Sequence, residues 1–146
     1  MKAKFVYETI GDILKGKSEE EIMSSIENTN LDLDKLLVKS SGVGFLAGVK
    51  KALEMGANVH TQRDFALRFA SQNGHLPVVE LLLKKGADVH ARDDWALRWA
   101  LENGHLDVVE LLLKNGADVH TRNDTALQWA SRNGHCDITK LLNKYI

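Results

Sequence analysis

Hydrophobic and polar residues follow one pattern through most of this chain, and the pattern predicts pairs of short helices. In one copy, Ala96, Leu97 and Ala100 lie on a single helical face. That helix is expected to end at Gly104, because glycine tolerates the left-handed conformation that often follows a helix. The valines and leucines of residues 108–113 then make a second helix apolar on most of its sides. We therefore expect the second helix to be packed between neighbours.

The pattern recurs every thirty residues. Residues 64–93 and 94–123 are identical at 22 of their thirty positions, a third copy occupies residues 124–146, and a more divergent copy occupies residues 34–63. A period of about 20–50 residues is typical of solenoids, in which each unit buries its apolar face on the next. The sequence thus predicts an all-α domain over residues 34–146, built from about four helix-pair units.

Residues 1–33 do not repeat. They carry four lysines against seven acidic residues, and they contain an apolar cluster of Phe5, Val6, Tyr7, Ile10, Ile13 and Leu14. One interpretation is an N-terminal cap that covers the apolar face of the first unit, since the ends of a solenoid need such covers. The other is a separate docking segment.

Two residues within the units carry local predictions. Asp94 directly precedes a first helix and suits an N-cap, because its carboxylate can accept the unpaired amides of the first turn. Cys136 stands where the preceding units have Leu76 and Leu106. We therefore expect the thiol to be a small buried hydrophobe and not a nucleophile.

One long motif identifies a family. The sequence Asn-Gly-His-Leu-x-Val-Val-Glu-Leu-Leu-Leu-Lys-x-Gly-Ala-Asp-Val occurs at residues 73–89 and again at 103–119. It resembles the ankyrin repeat. The resemblance implies an ankyrin-repeat solenoid of antiparallel helix pairs, whose connecting loops project as fingers. It also implies protein binding along the concave groove that fingers and first helices form.

The units depart from the common ankyrin pattern in length. Each is three residues shorter than the usual unit of about 33 residues, and the missing residues fall in the finger, between His90 and Trp95. We therefore expect short finger loops. Shortened repeats of this kind are similar to those of ankyrin proteins from large DNA viruses and phages, which favours a viral or phage protein that engages a host factor.

Composition narrows the class of protein further. Nineteen basic residues face twenty acidic ones, so no chain-wide field favours nucleic acid or an anionic membrane. No stretch approaches the about 20 apolar residues of a membrane span, and the start has no secretory signal. We expect a soluble, intracellular, cytoplasmic protein, located in the host cytoplasm if viral, without a nucleic-acid or membrane partner.

The histidines do not suggest a metal site. All six fall in two columns of the repeat: His60, His90 and His120, and His75, His105 and His135. Equivalent residues of stacked units lie about 8–10 Å apart, too far for two imidazoles to share one ion easily. Each histidine is instead expected to tie its turn to a neighbouring unit by a hydrogen bond. The sequence predicts no metal, no cofactor and no catalytic residue.

Aromatic and basic residues form columns along the first helices. The predicted partner-binding residues are Phe65, Arg68, Phe69, Arg92, Trp95, Arg98, Trp99, Arg122 and Trp129. Tryptophan and arginine are strongly enriched in protein interfaces. Two alternatives stay open: the aromatics fill the space left by the missing finger residues, and the arginines form ion pairs with Asp93, Asp94 or Glu102.

The sequence therefore favours a non-catalytic module, not an enzyme, that binds a protein partner on its concave face. We expect it to be a monomer. The alternative function is a structural scaffold or an oligomerising component that acts through its terminal segments.

Overall fold

The computed structural model describes residues 32–145, and within residues 121–125 it describes the backbone alone. The described residues form eight helices and no strand, which confirms the all-α prediction. The helices are α1 (Leu33–Val43), α2 (Leu46–Glu54), α3 (Thr61–Gln72), α4 (Leu76–Lys84), α5 (Ala91–Glu102), α6 (Leu106–Lys114), α7 (Thr121–Arg132) and α8 (Cys136–Asn143). They form four consecutive pairs, as a solenoid of helix-pair units requires.

The predicted cap or docking segment of residues 1–33 lies outside the described residues, apart from its last two positions. Within these, Asp32 is the N-cap of α1. Its carboxylate accepts hydrogen bonds from the amides of Asp34, at 3.1 Å, and Lys35, at 3.3 Å. The first described helix is thus capped by a side chain that precedes the predicted unit.

A glycine and a histidine of the next unit together fix the turn within each of the first three helix pairs. Gly74 ends α3 with a φ of 75°, and a Cβ at that position would lie 2.5 Å from Nδ1 of His105 in the next unit. Nε2 of His105 donates to the carbonyl oxygen of Gln72 at 2.9 Å. Nε2 of His75 likewise donates to the carbonyl oxygen of Gly42 at 3.0 Å. The prediction that these histidines tie neighbouring units together is confirmed.

Small and large residues divide the core between the two helices of each pair. Alanines such as Ala66, Ala96 and Ala100 are buried in the first helices, whereas leucines and valines fill the second helices. Accordingly, α3 and α5 approach each other more closely than α4 and α6 do. We call the surface of α1, α3, α5 and α7, with the turns that precede the last three, the inner face.

The turns before α3 and α5 each contain three residues in the left-handed conformation. Residues 62–64 have φ values of 51°, 57° and 57°, and residues 92–94 have 55°, 59° and 57°. This region is costly for residues other than glycine, although aspartate tolerates it better than most. The right-handed part of α3 therefore starts at Phe65 and that of α5 at Trp95.

The prediction that Asp94 is an N-cap is wrong, because this left-handed turn points its carboxylate elsewhere. Its Oδ1 accepts from Nδ1 of His90 at 2.9 Å and from the amide of Asp118 at 3.1 Å. Asp64 has the same two contacts one unit earlier, with His60 and the amide of Asp88, both at 2.9 Å. These aspartates join each finger turn to the next one.

Cys136 is exposed, so the prediction that it is buried is also wrong. Its position opens a second helix, at the periphery of the stack, where the equivalent Leu106 is itself 38% exposed. The repeat places leucines at the equivalent positions of the preceding units. A residue at the periphery of the stack can nevertheless be exposed even where the repeat favours apolar side chains.

Candidate interaction surface

Four aromatic rings of the inner face contact one another across two units. Phe65 stacks on Phe69 with ring centroids 5.4 Å apart, and Trp95 packs against Trp99 at 5.3 Å. The edge of one ring meets the face of the other between Phe65 and Trp99, at 6.4 Å. All four side chains are half-buried. The rings therefore join two units and still expose part of their surface on the inner face.

Phe69 also packs against the preceding unit. A Cβ at Gly42, near the end of α1, would overlap the Phe69 ring. This contact requires the glycine, and it extends the aromatic contacts toward the first described helix.

Arg68 lies beneath these rings and is only 3% exposed. Its guanidinium carbon lies 4.9 Å from the ring centroid of Phe65 and 5.6 Å from the centroids of both Trp95 and Trp99. Its Nε and Nη2 donate to the carbonyl oxygens of the left-handed turn, at 3.1 Å for residue 63 and 2.9 Å for residue 62. Arg68 thus holds the turn in place and offers a partner little surface of its own.

The charge of Arg68 is only partly compensated. Burial lowers the pKa of its guanidinium, and the positive charge of Arg92 lowers that pKa further. Asp64 acts in the opposite direction, and Arg63 adds a further lowering. Three arginines and one aspartate therefore share the space around this turn.

Arg98 occupies the equivalent position of the next unit in a more open setting. Its Nε donates to Oε1 of Glu102 at 2.9 Å, and its guanidinium lies 4.4 Å from the ring centroid of Trp129. The two charged side chains are 30% and 35% exposed. The alternative that an arginine of this column pairs with Glu102 is correct for Arg98.

Two predicted site residues remain, Arg92 and Arg122. Arg92 is exposed and covers the ring of Trp95 at 4.7 Å. The side chain of Arg122 lies outside the part of the chain that the structure describes. The structure therefore brings six of the predicted residues into one connected cluster and places Arg98 with Trp129, while the ninth is Arg122. The six are Phe65, Arg68, Phe69, Arg92, Trp95 and Trp99.

One polar atom in the cluster has no partner. Nε1 of Trp95 is buried, and no acceptor within residues 32–145 lies within hydrogen-bond distance. A buried donor without an acceptor is uncommon and costs free energy. The indole nitrogen therefore does not fix the position of Trp95, whose ring packs against Trp99 and lies beneath Arg92.

The sequence interpretation missed the hydrogen-bonded chain of aspartates beside the inner face. The signal was present, since a histidine precedes each of Asp64 and Asp94 by four residues. The amide of His90 donates to Oδ1 of Asp88 at 2.9 Å, which continues the chain from one turn to the next. These bonds satisfy the polar groups of the turns and fix the frame on which the arginines are placed.

Within residues 32–145, no three side chains of His, Cys, Asp or Glu are grouped so that they could hold a metal ion. None of the helices in this range combines the length and the apolar character needed to cross a bilayer.

Comparison with known families agrees with the repeat geometry. The family model described as "Ankyrin repeat" matches residues 62–94, and the one described as "Ankyrin repeats (many copies)" matches residues 97–142. A comparison with curated proteins finds no match. Ankyrin repeats generally act as non-catalytic modules that mediate protein–protein interaction. From the thirty-residue repeat, the helix pairs and these matches together, the chain belongs to the ankyrin-repeat family.

Proposed function

We propose that this protein is a non-catalytic interaction module that binds a protein partner on its concave inner face. The observation that carries the proposal is the row of half-buried aromatic rings at Phe65, Trp95, Trp99 and Trp129. Partly exposed tryptophans beside arginine are the composition of interface hot spots. Here the rings are held rigid by contacts between units, so binding would cost little side-chain entropy.

The opposite surface supports the proposal by contrast. Exposed positions of the second helices carry oppositely charged pairs four residues apart: Glu80 with Lys84 at 3.7 Å, and Glu110 with Lys114 at 3.3 Å. Such pairs are typical of solvated helix surfaces. The aromatic and arginine side chains collect on the inner face instead.

Within this surface, some of the predicted site residues would contact the partner and one would hold the others in position. Arg92 is exposed, and Trp99, Arg98 and Trp129 are partly exposed, so these side chains can contact a partner. Arg68 would act from below, by holding the turn and the rings in position. The shortened repeats support a viral or phage protein, whose partner would be a host factor in the host cytoplasm.

A matched pair of blocking variants tests the inner face. Gln128→Trp places a bulky side chain at an exposed position of α7, and Lys114→Trp places the same side chain at an exposed position of α6. Proteins captured from a host lysate by the unmodified chain should bind Lys114→Trp normally. Their affinity for Gln128→Trp should fall at least about tenfold, because a steric block excludes the partner from the central contacts.

Equal binding to both variants would place the partner elsewhere and overturn the proposal. Circular dichroism and melting curves of both variants provide the control for folding. The alternative function, an oligomerising scaffold, is supported by the end of the chain, where Tyr145 is 41% exposed. Light scattering of the dilute protein separates the two, since a scaffold forms a defined oligomer without any added partner.

A further inference from the structure

The cations around Trp95 differ from Arg98, Lys84 and Lys114, each of which pairs with a carboxylate four residues away in its own helix. The guanidiniums of Arg68 and Arg92 both lie over the Trp95 ring, at 5.6 Å and 4.7 Å from its centroid. Arg63 is exposed on the left-handed turn whose carbonyl oxygen Arg68 binds. We call Arg63, Arg68 and Arg92 the arginine cluster.

Neutral groups satisfy the hydrogen-bonding needs of Arg68 and leave its charge in place. Its two hydrogen bonds run to backbone carbonyl oxygens, and the nearby Asp64 already accepts from His60 and from a backbone amide. Among the described side chains, no ion pair with a carboxylate is found for Arg63 or for Arg92. The like charges also act on one another, since Arg92 and Arg63 both lower the pKa of Arg68.

Three other basic residues of the same array have acidic partners. Arg98 is paired with Glu102, and Lys84 and Lys114 are paired with Glu80 and Glu110. The arginine cluster is therefore a local excess of positive charge on a chain whose formal net charge is −1.

We propose that the arginine cluster binds an acidic segment of the partner protein, with Asp or Glu carboxylates contacting Arg63 and Arg92. This inference rests on the proposed function and specifies the chemistry of the partner. Guanidinium groups match carboxylates in shape and donate two parallel hydrogen bonds to them. Both arginines are exposed, so they can reach a carboxylate without disturbing the carbonyl contacts of Arg68.

The arrangement favours a protein segment over a nucleic acid. Asp93 and Glu102 lie on the same inner face as the cluster. A polynucleotide carries a charge on every nucleotide and would bring phosphates toward these carboxylates. An acidic peptide can place its carboxylates opposite the arginines and neutral residues opposite the acids.

Fluorescence anisotropy with synthetic probes tests the inference on the full chain. The probe is a short glutamate-rich peptide that also contains leucine and tyrosine, and its control is the same peptide with glutamine at every glutamate. The acidic peptide should bind at least about tenfold more tightly at an ionic strength of about 0.01 M. Raising the ionic strength to about 1 M shortens the Debye length from about 30 Å to about 3 Å and should remove that preference.

Charge-removing variants locate the binding. Arg63→Gln and Arg92→Gln should each weaken binding of the acidic peptide by about two- to fivefold, the range expected when one exposed ion pair is lost. Lys84→Gln and Lys114→Gln, on the opposite surface, should leave it unchanged. Melting curves of all four variants check that the fold is intact.

The outcomes separate this inference from the proposed function. If the glutamine peptide binds equally well and Gln128→Trp blocks it, the inner face binds protein but the acidic chemistry is wrong. If binding of the acidic peptide survives both Gln128→Trp and Arg92→Gln, the proposed surface itself is wrong. No binding of the acidic peptide, or tighter binding of a single-stranded oligonucleotide of equal charge, overturns the inference.

Discussion

Arg68 and Arg98 occupy the same position of consecutive units, yet their environments differ. Arg68 is 3% exposed, lies among three aromatic rings and donates to two carbonyl oxygens of a left-handed turn. Arg98 is 30% exposed, lies over one ring and pairs with a carboxylate. In two units of nearly the same sequence, the equivalent arginine therefore has two roles. Arg68 stabilises a turn from a buried position, and Arg98 forms an ion pair at the surface.

The cause lies in a few neighbouring residues. Four positions after Arg98 stands Glu102, which can form an ion pair along the helix, whereas Arg68 is followed by the neutral Gln72. The next unit also differs, because it places Trp95 beside Arg68. The environment of a residue in a solenoid thus depends on the following unit as much as on its own.

The largest expected effect comes from Trp99, which joins the two environments. It contacts Phe65, Trp95 and Arg68, whereas Trp129 contacts Arg98 at the more open position. Trp99→Ala should lower the free energy of unfolding by about 3–5 kcal/mol, since it removes a large ring between units. Trp129→Ala should cost about half as much or less, because one such contact, that with Arg98, is found for its ring among the described side chains.

Urea denaturation of both variants measures this difference. Equal losses would mean that the two units pack their tryptophans alike. If both variants unfold but the folded fraction keeps its affinity for the partner, these tryptophans belong to the core between units and not to the binding surface.

Removing each arginine tests the comparison directly. Arg68→Ala should lower the free energy of unfolding by about 3 kcal/mol. It removes the charged donor of two hydrogen bonds and its desolvated cation–π contacts. Arg98→Ala should lower the free energy of unfolding by less than about 1 kcal/mol, because its ion pair is partly exposed and is screened by water. Midpoints of urea unfolding for the pair give the two values, and a cost of Arg98→Ala as large as that of Arg68→Ala would contradict the assignment of roles.

The smallest effect concerns the acid that distinguishes the two units. Glu102→Gln should cost about 0.3–0.5 kcal/mol, the value of an exposed pair four residues apart in a helix, and the loss should shrink at high salt. Gln72→Glu, the reciprocal change, should leave the carbonyl contacts of Arg68 intact if burial among the rings determines its position. Thermal melts at two salt concentrations measure the first change, and a crystal structure of the second variant shows whether Arg68 has turned toward the new carboxylate.

Much of the fold followed from local patterns in the sequence. The thirty-residue period, the alanines of the first helices and the glycine that ends each of them predicted the helix pairs. Pro77 at the start of α4 and Asp107 in the first turn of α6 lie where such residues favour a helix start. These signals act within a few residues of the helix end that they mark.

The candidate site was predictable as a set of residue types but not as an arrangement. The aromatic and arginine columns were visible at thirty-residue spacing, and the contacts of Phe65 with Trp99 show that stacking brings two of them together. The depth of Arg68, the bonds of Asp94 and the exposure of Cys136 were not visible. Each depends on the left-handed turns or on the position of a unit in the stack.

The sequence by itself determined where helices begin and end and which faces are apolar, because hydrogen bonding along a helix is local. Only the tertiary structure decided which arginine is buried. Arg68 and Arg98 share the local sequence Ala-Leu-Arg. They differ in one residue of their own helix, Gln72 against Glu102, and in the side chains that the next unit brings against them. Burial and electrostatic environment are sums over neighbours in space, and in this protein the decisive neighbours lie about one repeat away along the chain.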